Sequence, residues 1–128
     1  MRQELDDKLC ANYPSLYRER NLPAYQTCMC WGFPGDGWYD LIDKLSQVLE
    51  PLGVIAVQVK EKFGGLRFYT NGASELDSDA VRTAIRMAEE QAIHTCELCG
   101  EPGELRGDGW LIVRCDKCYE EGKNDNKS

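Results

Sequence analysis

The sequence is poor in histidine and in long apolar runs. It has one histidine in 128 residues, and no run approaches the roughly 20 apolar residues that a membrane-spanning helix needs. A glycine-rich phosphate loop and an HExxH motif are also missing, and the histidine has no serine or cysteine partner in a recognisable motif. We therefore predict a protein that is not an enzyme.

Basic residues are fewer than acidic ones. Fifteen Lys and Arg against 22 Asp and Glu give a formal net charge of −7. A field of this sign does not attract a phosphate backbone, so a basic or neutral protein surface is a better expected partner than nucleic acid. The N-terminus, MRQELDDKLC, is charged and lacks the apolar stretch of a secretory signal, which predicts a cytoplasmic protein.

Two CxxC pairs carry the strongest chemical signal. Cys96 and Cys99 form the first pair, Cys115 and Cys118 form the second, and fifteen residues separate them. In a reducing cytoplasm such pairs are more often metal ligands than disulfides. Two CxxC turns supply the four tetrahedral ligands that Zn²⁺ prefers, and four sulfurs leave no open position for water or substrate. The sequence therefore predicts one structural zinc ion in a zinc ribbon.

Three cysteines lie outside this ribbon. Cys10, Cys28 and Cys30 together with His94 can in principle form a second metal site. A CxC pair is a poorer chelate than CxxC, free cysteines are usually buried thiols, and a histidine at the end of a helix is favoured by the helix dipole. Whether these four residues bind a second ion stays open at the level of sequence.

The central part of the chain predicts an α+β fold. Trp38, Leu41, Ile42, Leu45, Val48 and Leu49 follow the spacing of an amphipathic helix that ends before Pro51. Ile55, Val57 and Val59 alternate with Ala56, Gln58 and Lys60 as in a half-buried strand. A second strand over residues 66–70 completes a β-hairpin, and we expect its loop, around Gly64 and Gly65, to be somewhat longer than two residues.

A second helix follows the hairpin over residues 79–94. Its expected buried stripe is Val81, Ala84, Ile85, Ala88 and Ala92. The predicted architecture is a small helix–β-hairpin–helix core with a C-terminal zinc ribbon. We assign residues 1–94 to the core, 95–119 to the ribbon and the polar residues 120–128 to a disordered tail.

The tetrapeptide GDGW occurs twice. In the first copy Asp36 precedes the helical pattern, which predicts that its carboxylate caps the helix N-terminus. In the second copy Asp108 lies between two glycines ahead of a strand, which predicts an Asx-type turn inside the ribbon. The flanking sequences differ, so the repeat marks two turns and not a duplicated unit.

The hairpin segment KEKFGGLRFY mixes basic and aromatic residues. Such a mixture occurs in surfaces that bind single-stranded nucleic acid, and it also occurs in ordinary sheets with aromatics inside and charges outside. We favour the structural interpretation and keep a binding surface, mainly for protein, as the alternative. The candidate binding residues are Lys60, Lys62, Phe63, Arg67, Tyr69, Asp36 and Trp38.

Three segments in this order resemble a family of small proteins encoded by bacteriophages and prophages. They are CWGFPGDGWYDLIDKL, VQVKEKFGGLRFY and CELCGEPGELRGDGWLIVRCDKC, and the resemblance covers about residues 28–118. The family has no established activity. Its ribbon cysteines correspond to Cys96, Cys99, Cys115 and Cys118, and the first 27 residues lie outside the pattern.

A phage origin implies a protein that binds and blocks a host or defence-system protein in the bacterial cytoplasm, including immune effectors such as CRISPR nucleases. We therefore expect a zinc-stabilised inhibitor or adaptor of the anti-defence, anti-CRISPR-like kind, whose acidic surface covers a basic site. Two alternatives stay open. One is a nucleic-acid-binding or transcription-modulating zinc-ribbon protein, and the other is a protein that sequesters or cleaves a signalling nucleotide between the hairpin and the helices.

Overall fold

A computed structural model describes residues 1–107 and 109–126. These residues form an α+β fold with four α-helices and two separate two-stranded antiparallel sheets, which confirms the predicted fold class. The elements are α1 (Gln3–Asn12), α2 (Tyr39–Leu49), β1 (Ile55–Lys62), β2 (Gly65–Asn71), α3 (Ser78–Ala92), β3 (Glu104–Arg106), β4 (Ile112–Arg114) and α4 (Asp116–Asn126). Within the described ranges, no helix is long and apolar enough to cross a membrane.

The core lies between α2, α3 and the β1–β2 hairpin. Most of the apolar stripe predicted for α2 is buried, whereas Val48 remains 49% exposed. On α3, Val81, Ala88 and Ala92 are buried, while Ala84 and Ile85 pack against the cluster from its edge. The helical period therefore identified the core-facing sides of both helices.

The N-terminal 30 residues belong to the same core. Leu9 on α1 is buried, as are Leu16 and Tyr17 in the turns that follow. A nearly buried ion pair joins Arg20 to Asp6, with a distance of 2.9 Å between Nη2 and Oδ2. The pair is bidentate, which ties the loop to α1 with defined geometry.

Strand β1 differs from the predicted alternation. The register shifts between Ala56 and Gln58, which leaves Val57 as the extra residue of a β-bulge. Because a bulge reverses the inward and outward phase, Ala56 and Val59 are the buried residues, and Ile55 and Val57 are only half-buried. The prediction that Ile55, Val57 and Val59 share one buried face was therefore wrong.

The hairpin loop is shorter than predicted. Lys62 pairs with Gly65, so the loop consists of Phe63 and Gly64 alone. Both residues have positive φ, 54° and 83°, as a two-residue type I′ turn requires. A phenylalanine rarely adopts this conformation, which is why the sequence did not reveal the turn.

Helix α4 occupies much of the segment predicted to be a disordered tail. It begins at Asp116 in the second CxxC pair and continues to Asn126. The chain is already turning there, because the backbone N–H of Tyr119 donates to the carbonyl of Cys115 at 3.0 Å. Because this first turn is the unfavourable step of helix formation, Glu120 and Glu121, which are good helix formers, can then extend the helix. The expectation for residues 127–128 lies outside the described residues.

Candidate metal centre and adjoining surfaces

The four ribbon cysteines converge. The sulfur atoms of Cys96, Cys99, Cys115 and Cys118 all lie within 4.8 Å of one another, and the Sγ atoms of Cys99 and Cys115 are 3.6 Å apart. A tetrahedron with metal–sulfur bonds of about 2.3 Å has sulfur–sulfur edges of about 3.8 Å. The arrangement can therefore bind one metal ion.

Two turns position these sulfurs. In the first, the N–H of Cys96 donates to Glu101 O at 2.7 Å, and the N–H of Gly100 donates to Cys96 O at 2.9 Å. In the second, the N–H of Cys118 points to the sulfur of Cys115 at 3.4 Å. The short β3–β4 hairpin joins the two turns and brings the cysteine pairs to one end.

Backbone dipoles favour a thiolate at Cys96. Burial opposes its ionisation, but hydrogen bonds from the backbone at Cys115, Cys99 and Leu98 outweigh burial and lower its pKa to about 7. The pKa of Cys118 is raised, first by burial and then by the neighbouring thiols. Four thiolates at this distance repel one another, so a cation is needed before all four ionise.

The first GDGW segment supports the metal centre. We call residues 35–38 the docking loop. The N–H of Gly37 donates to Glu97 O at 2.8 Å, and the indole Nε1 of Trp38 donates to Thr95 O at 2.9 Å. Trp38 is fully buried, so its proposed role as a surface binding residue was wrong. Its ring instead joins the core to the first cysteine turn.

The glycines of the docking loop allow close backbone approach. A Cβ atom on Gly37 would lie 2.0 Å from the carbonyl oxygen of Cys96, and one on Gly35 would lie 2.3 Å from that of Glu97. Any side chain at either position would displace the metal-binding turn. The GDG sequence was the only sequence signal for this close contact, and by itself it predicted a turn and not the contact.

Asp36 does not cap α2. The segment Asp36–Trp38 is a short 3-10 turn without a side-chain cap, so the prediction of an N-cap was wrong. Its Oδ1 accepts the backbone N–H of Arg2 at 2.7 Å, and its Oδ2 pairs with Arg2 Nε at 3.0 Å. Asp36 therefore holds Arg2, near the N-terminus, through a hydrogen bond and an ion pair. The turn expected at Asp108 lies outside the described residues.

The β1–β2 turn supports the ribbon from a second side. A Cβ on Gly64 would lie 2.5 Å from Leu105 Cδ1, and the ribbon residue Val113 is fully buried in the main core cluster. Arg114 and Glu97 form an ion pair at 3.3 Å between β4 and the first cysteine turn. The ribbon therefore packs directly against the core.

The other candidate binding residues lie on or near the hairpin surface. Phe63 is 68% exposed, Tyr69 is 45% exposed, and the Lys62 side chain is also exposed. Lys60 and Arg67 are half-buried and face each other across the two strands. These three cations and two aromatic residues lie on one hairpin, so a binding role for them remains a hypothesis.

An aromatic cleft lies between the hairpin turn and the ribbon. Its volume is about 240 Å³, and its lining residues are Glu61, Lys62, Phe63, Gly109, Trp110 and Leu111. Trp110 is 77% exposed at this cleft. Trp110 belongs to the second GDGW copy, and its exposure could not be predicted, because a local pattern does not show where a short strand begins.

Two of the three cysteines outside the ribbon, Cys10 and Cys30, have local hydrogen-bond partners. Cys10 Sγ lies 3.7 Å from Asp6 Oδ1, and burial, followed by the charge of Asp6, raises the pKa of this thiol to about 11. Cys30 Sγ donates to Thr27 O at 3.5 Å. Among the residues that the structure describes, no group of three potential ligands includes Cys10, Cys28, Cys30 or His94.

We compared the chain with known proteins. No family model, curated protein or solved structure matches it. The functional assignment therefore rests on the chemistry of the cysteine cluster and on the surfaces beside it.

Proposed function

We propose that this is a zinc-stabilised binding protein that recognises a partner protein and inhibits or redirects it. The observation that carries the proposal is the pair of exposed aromatic side chains at one cleft, Phe63 at 68% and Trp110 at 77% exposure. Large aromatic residues dominate the binding energy of protein interfaces, and here two of them line the same cavity.

Zinc is the ion that this donor set favours. Soft thiolate ligands at tetrahedral spacing select Zn²⁺ over hard cations such as Mg²⁺ and Ca²⁺, which require oxygen ligands. With four protein sulfurs the ion has no open position for a substrate, so its contribution is to the fold. It holds the ribbon, and therefore Trp110, in place beside the hairpin.

The conformation of Phe63 supports a binding role. An L-residue at φ 54° is strained, and an asparagine or glycine would fit this turn at lower cost. Its ring gains little from the core, because most of it faces solvent. A strained and exposed aromatic residue at a turn is typical of a position retained for contact with a partner.

Charge and the family resemblance define the expected partner. With four thiolates and one Zn²⁺ the formal charge becomes about −9. Electrostatic steering then favours a protein with a basic functional site. If the chain shares the phage origin that it resembles, the partner is a protein of a bacterial host, and an anti-defence inhibitor that covers a basic nuclease surface fits both the charge and this origin.

The test is whether substitutions in the cleft abolish capture of the partner protein. Tagged, zinc-loaded protein is incubated with nuclease-treated lysate of a bacterium that carries defence systems, and retained proteins are identified by mass spectrometry. We expect one dominant protein with the wild type and its loss with Phe63→Ala/Trp110→Ala. Titration of the purified partner should show at least about a tenfold weaker affinity for this double variant.

A matched control is Leu76→Ala. Leu76 is 95% exposed and does not line the cleft, so its variant should retain the partner fully. Equal capture by the double variant and the wild type would contradict recognition through the cleft. A protein that is retained only when the lysate has not been treated with nuclease would contradict direct protein binding.

A further inference from the structure

The face of the β1–β2 hairpin that points away from the core carries a separate set of residues. Val59 pairs with Phe68, and both are buried, so this pair defines the core side. Side chains alternate along a strand, and the next pair, Lys60 and Arg67, therefore points outward. We call this side the outer face. Its members from the turn onward are Lys62, Lys60, Arg67, Gln58 and Tyr69.

Positive charge is concentrated on the outer face although the protein is acidic. The Arg67 side chain lies over Gly65, since a Cβ there would be 3.3 Å from its Nη1. Glu61 belongs to the opposite side, where its Oε1 accepts the N–H of Gly64 at 2.7 Å. On α3, Glu89 accepts the backbone N–H of Phe68 and offsets part of the charge of Arg67.

The outer face leads into a groove. The groove has a volume of about 600 Å³ and lies between β1, β2 and residues 19–28. Tyr69 and Tyr25 border it with exposed rings, at 45% and 84%. Its remaining lining residues are Glu19, Ala24, Gln26, Thr27, Cys28, Val57, Gln58 and Asn71. Among the described residues that line the groove, only Glu19 is charged.

The polar side chains of the groove are available for a ligand. The amides of Gln26, Gln58 and Asn71 make no hydrogen bond to another residue in the described part of the chain. Amides have both donors and acceptors, which suits the edges of nucleobases. Cations therefore line the approach to the groove, while the groove itself offers aromatic rings and uncharged hydrogen-bonding groups.

We propose that the outer face and the groove bind a short single strand of nucleic acid. A base lies in the groove against Tyr69, its edge contacts the amides, and the neighbouring phosphates lie over Lys60, Lys62 and Arg67. Single strands expose the base faces that aromatic side chains stack on, whereas a duplex hides them. This inference goes beyond the proposed function and does not depend on it, because the two sites share only Lys62, and the cleft is formed by Phe63 and Trp110.

The test is fluorescence anisotropy of a labelled single-stranded DNA hexamer, and of its RNA equivalent, with the full zinc-loaded protein. Three phosphate contacts predict that log affinity falls with log salt with a slope of about −2. The variant Lys60→Gln/Lys62→Gln/Arg67→Gln should bind at least about tenfold more weakly and flatten this slope. Tyr69→Ala should weaken binding by about tenfold through loss of stacking.

Matched controls separate this site from general charge and from the cleft. Lys44→Gln/Lys117→Gln removes two exposed lysines elsewhere and should leave the affinity unchanged. Trp110→Ala should also leave it unchanged while reducing capture of the protein partner. The proposal is overturned if the hexamer does not bind at low salt, if the control lysines matter as much, or if a duplex or a mononucleotide binds as tightly as the strand.

Discussion

The core and the ribbon are stabilised by different means. Of the buried hydrophobic residues in the described chain, all but Cys96 and Val113 lie in residues 1–94. The apolar surface whose burial drives folding is therefore concentrated in the core, and the ribbon contributes little of it. The ribbon has instead a cysteine cluster that can bind a metal ion, and backbone contacts with the docking loop. One small chain thus combines a region rich in buried apolar residues with a region that we expect to need a metal ion to fold.

The largest expected effect comes from removing the metal. In Cys99→Ser one of the four sulfur ligands is lost, and structural zinc sites contribute on the order of 10 kcal/mol of binding free energy. We expect amide hydrogen exchange to show loss of protection over residues 95–118, with α2 and α3 still protected. Cys28→Ser is the control, because Cys28 is exposed and lies outside the cluster. Full metal content and unchanged stability of Cys99→Ser would refute the zinc centre.

The second-largest expected effect comes from a substitution in the docking loop. In Gly37→Ala the new Cβ would lie 2.0 Å from Cys96 O and 2.6 Å from Gly100 N, and these are backbone atoms that cannot rotate away. We expect a loss of about 3 kcal/mol in the free energy of unfolding of the zinc-loaded protein, measured by chemical denaturation.

Gly122→Ala is the control for this substitution. Gly122 lies in α4, and a Cβ there would meet no atom within 4 Å. Alanine is the better helix former, so stability should be unchanged or rise by up to about 1 kcal/mol. Equal losses in both variants would mean that the docking loop is not a special contact.

The third effect concerns the indole of Trp38. Trp38→Phe keeps an aromatic ring in the core but removes the hydrogen bond to Thr95 O, which joins core and ribbon. We expect a loss of about 1–2 kcal/mol in thermal unfolding, with metal content unchanged. Trp31→Phe makes the same substitution at a ring that is 79% exposed, and it should have no measurable effect. A similar loss of stability in Trp38→Phe and Trp31→Phe would argue against a contribution from the hydrogen bond between Trp38 and Thr95.

The two regions should also differ in the sign of their pH dependence. The pKa of Cys10 in the core is raised from 9.0 to about 11, so its contribution to stability is complete below pH 9 and is lost as pH rises towards 11. The pKa of Cys96 in the ribbon is lowered from 9.0 to about 7, so the contribution of this one thiolate is complete above pH 9 and is lost as pH falls through 7.

Unfolding measured across this pH range tests the contrast. Cys10→Ala should reduce the alkaline loss of stability while leaving the acid loss of the ribbon intact. A pH profile identical to that of the wild type would show that the Cys10 thiol does not cause the alkaline limit. Release of metal on acidification, followed with a colorimetric zinc indicator, should accompany the ribbon's transition.

The sequence predicted those features that depend on residue spacing alone. The periodicity of α2, the existence of the hairpin and the convergence of the four cysteines all follow from local patterns. Features that depend on distant neighbours were missed or misassigned. The docking loop needs glycine because a cysteine turn about 60 residues further along packs against it, and no local pattern contains that information.

Local irregularities were the second cause of error. The bulge at Val57 reversed the phase of β1, and the alternation of Ile55, Val57 and Val59 cannot reveal an inserted residue. Phe63 hid a type I′ turn because phenylalanine is uncommon at positive φ. Both exceptions lie beside the candidate binding surfaces, where local rules are most often broken.

The smallest expected effect concerns the strain at Phe63, which lies where core and ribbon meet. Phe63→Asn places a residue suited to positive φ ahead of Gly64, so we expect the free energy of unfolding to rise by about 0.5–1 kcal/mol. The same change removes an aromatic ring from the cleft, so affinity for the partner protein should fall. Denaturation and titration of one variant thus test whether the core retains a strained residue for binding, and a variant that gains stability without losing affinity would show that the ring is dispensable.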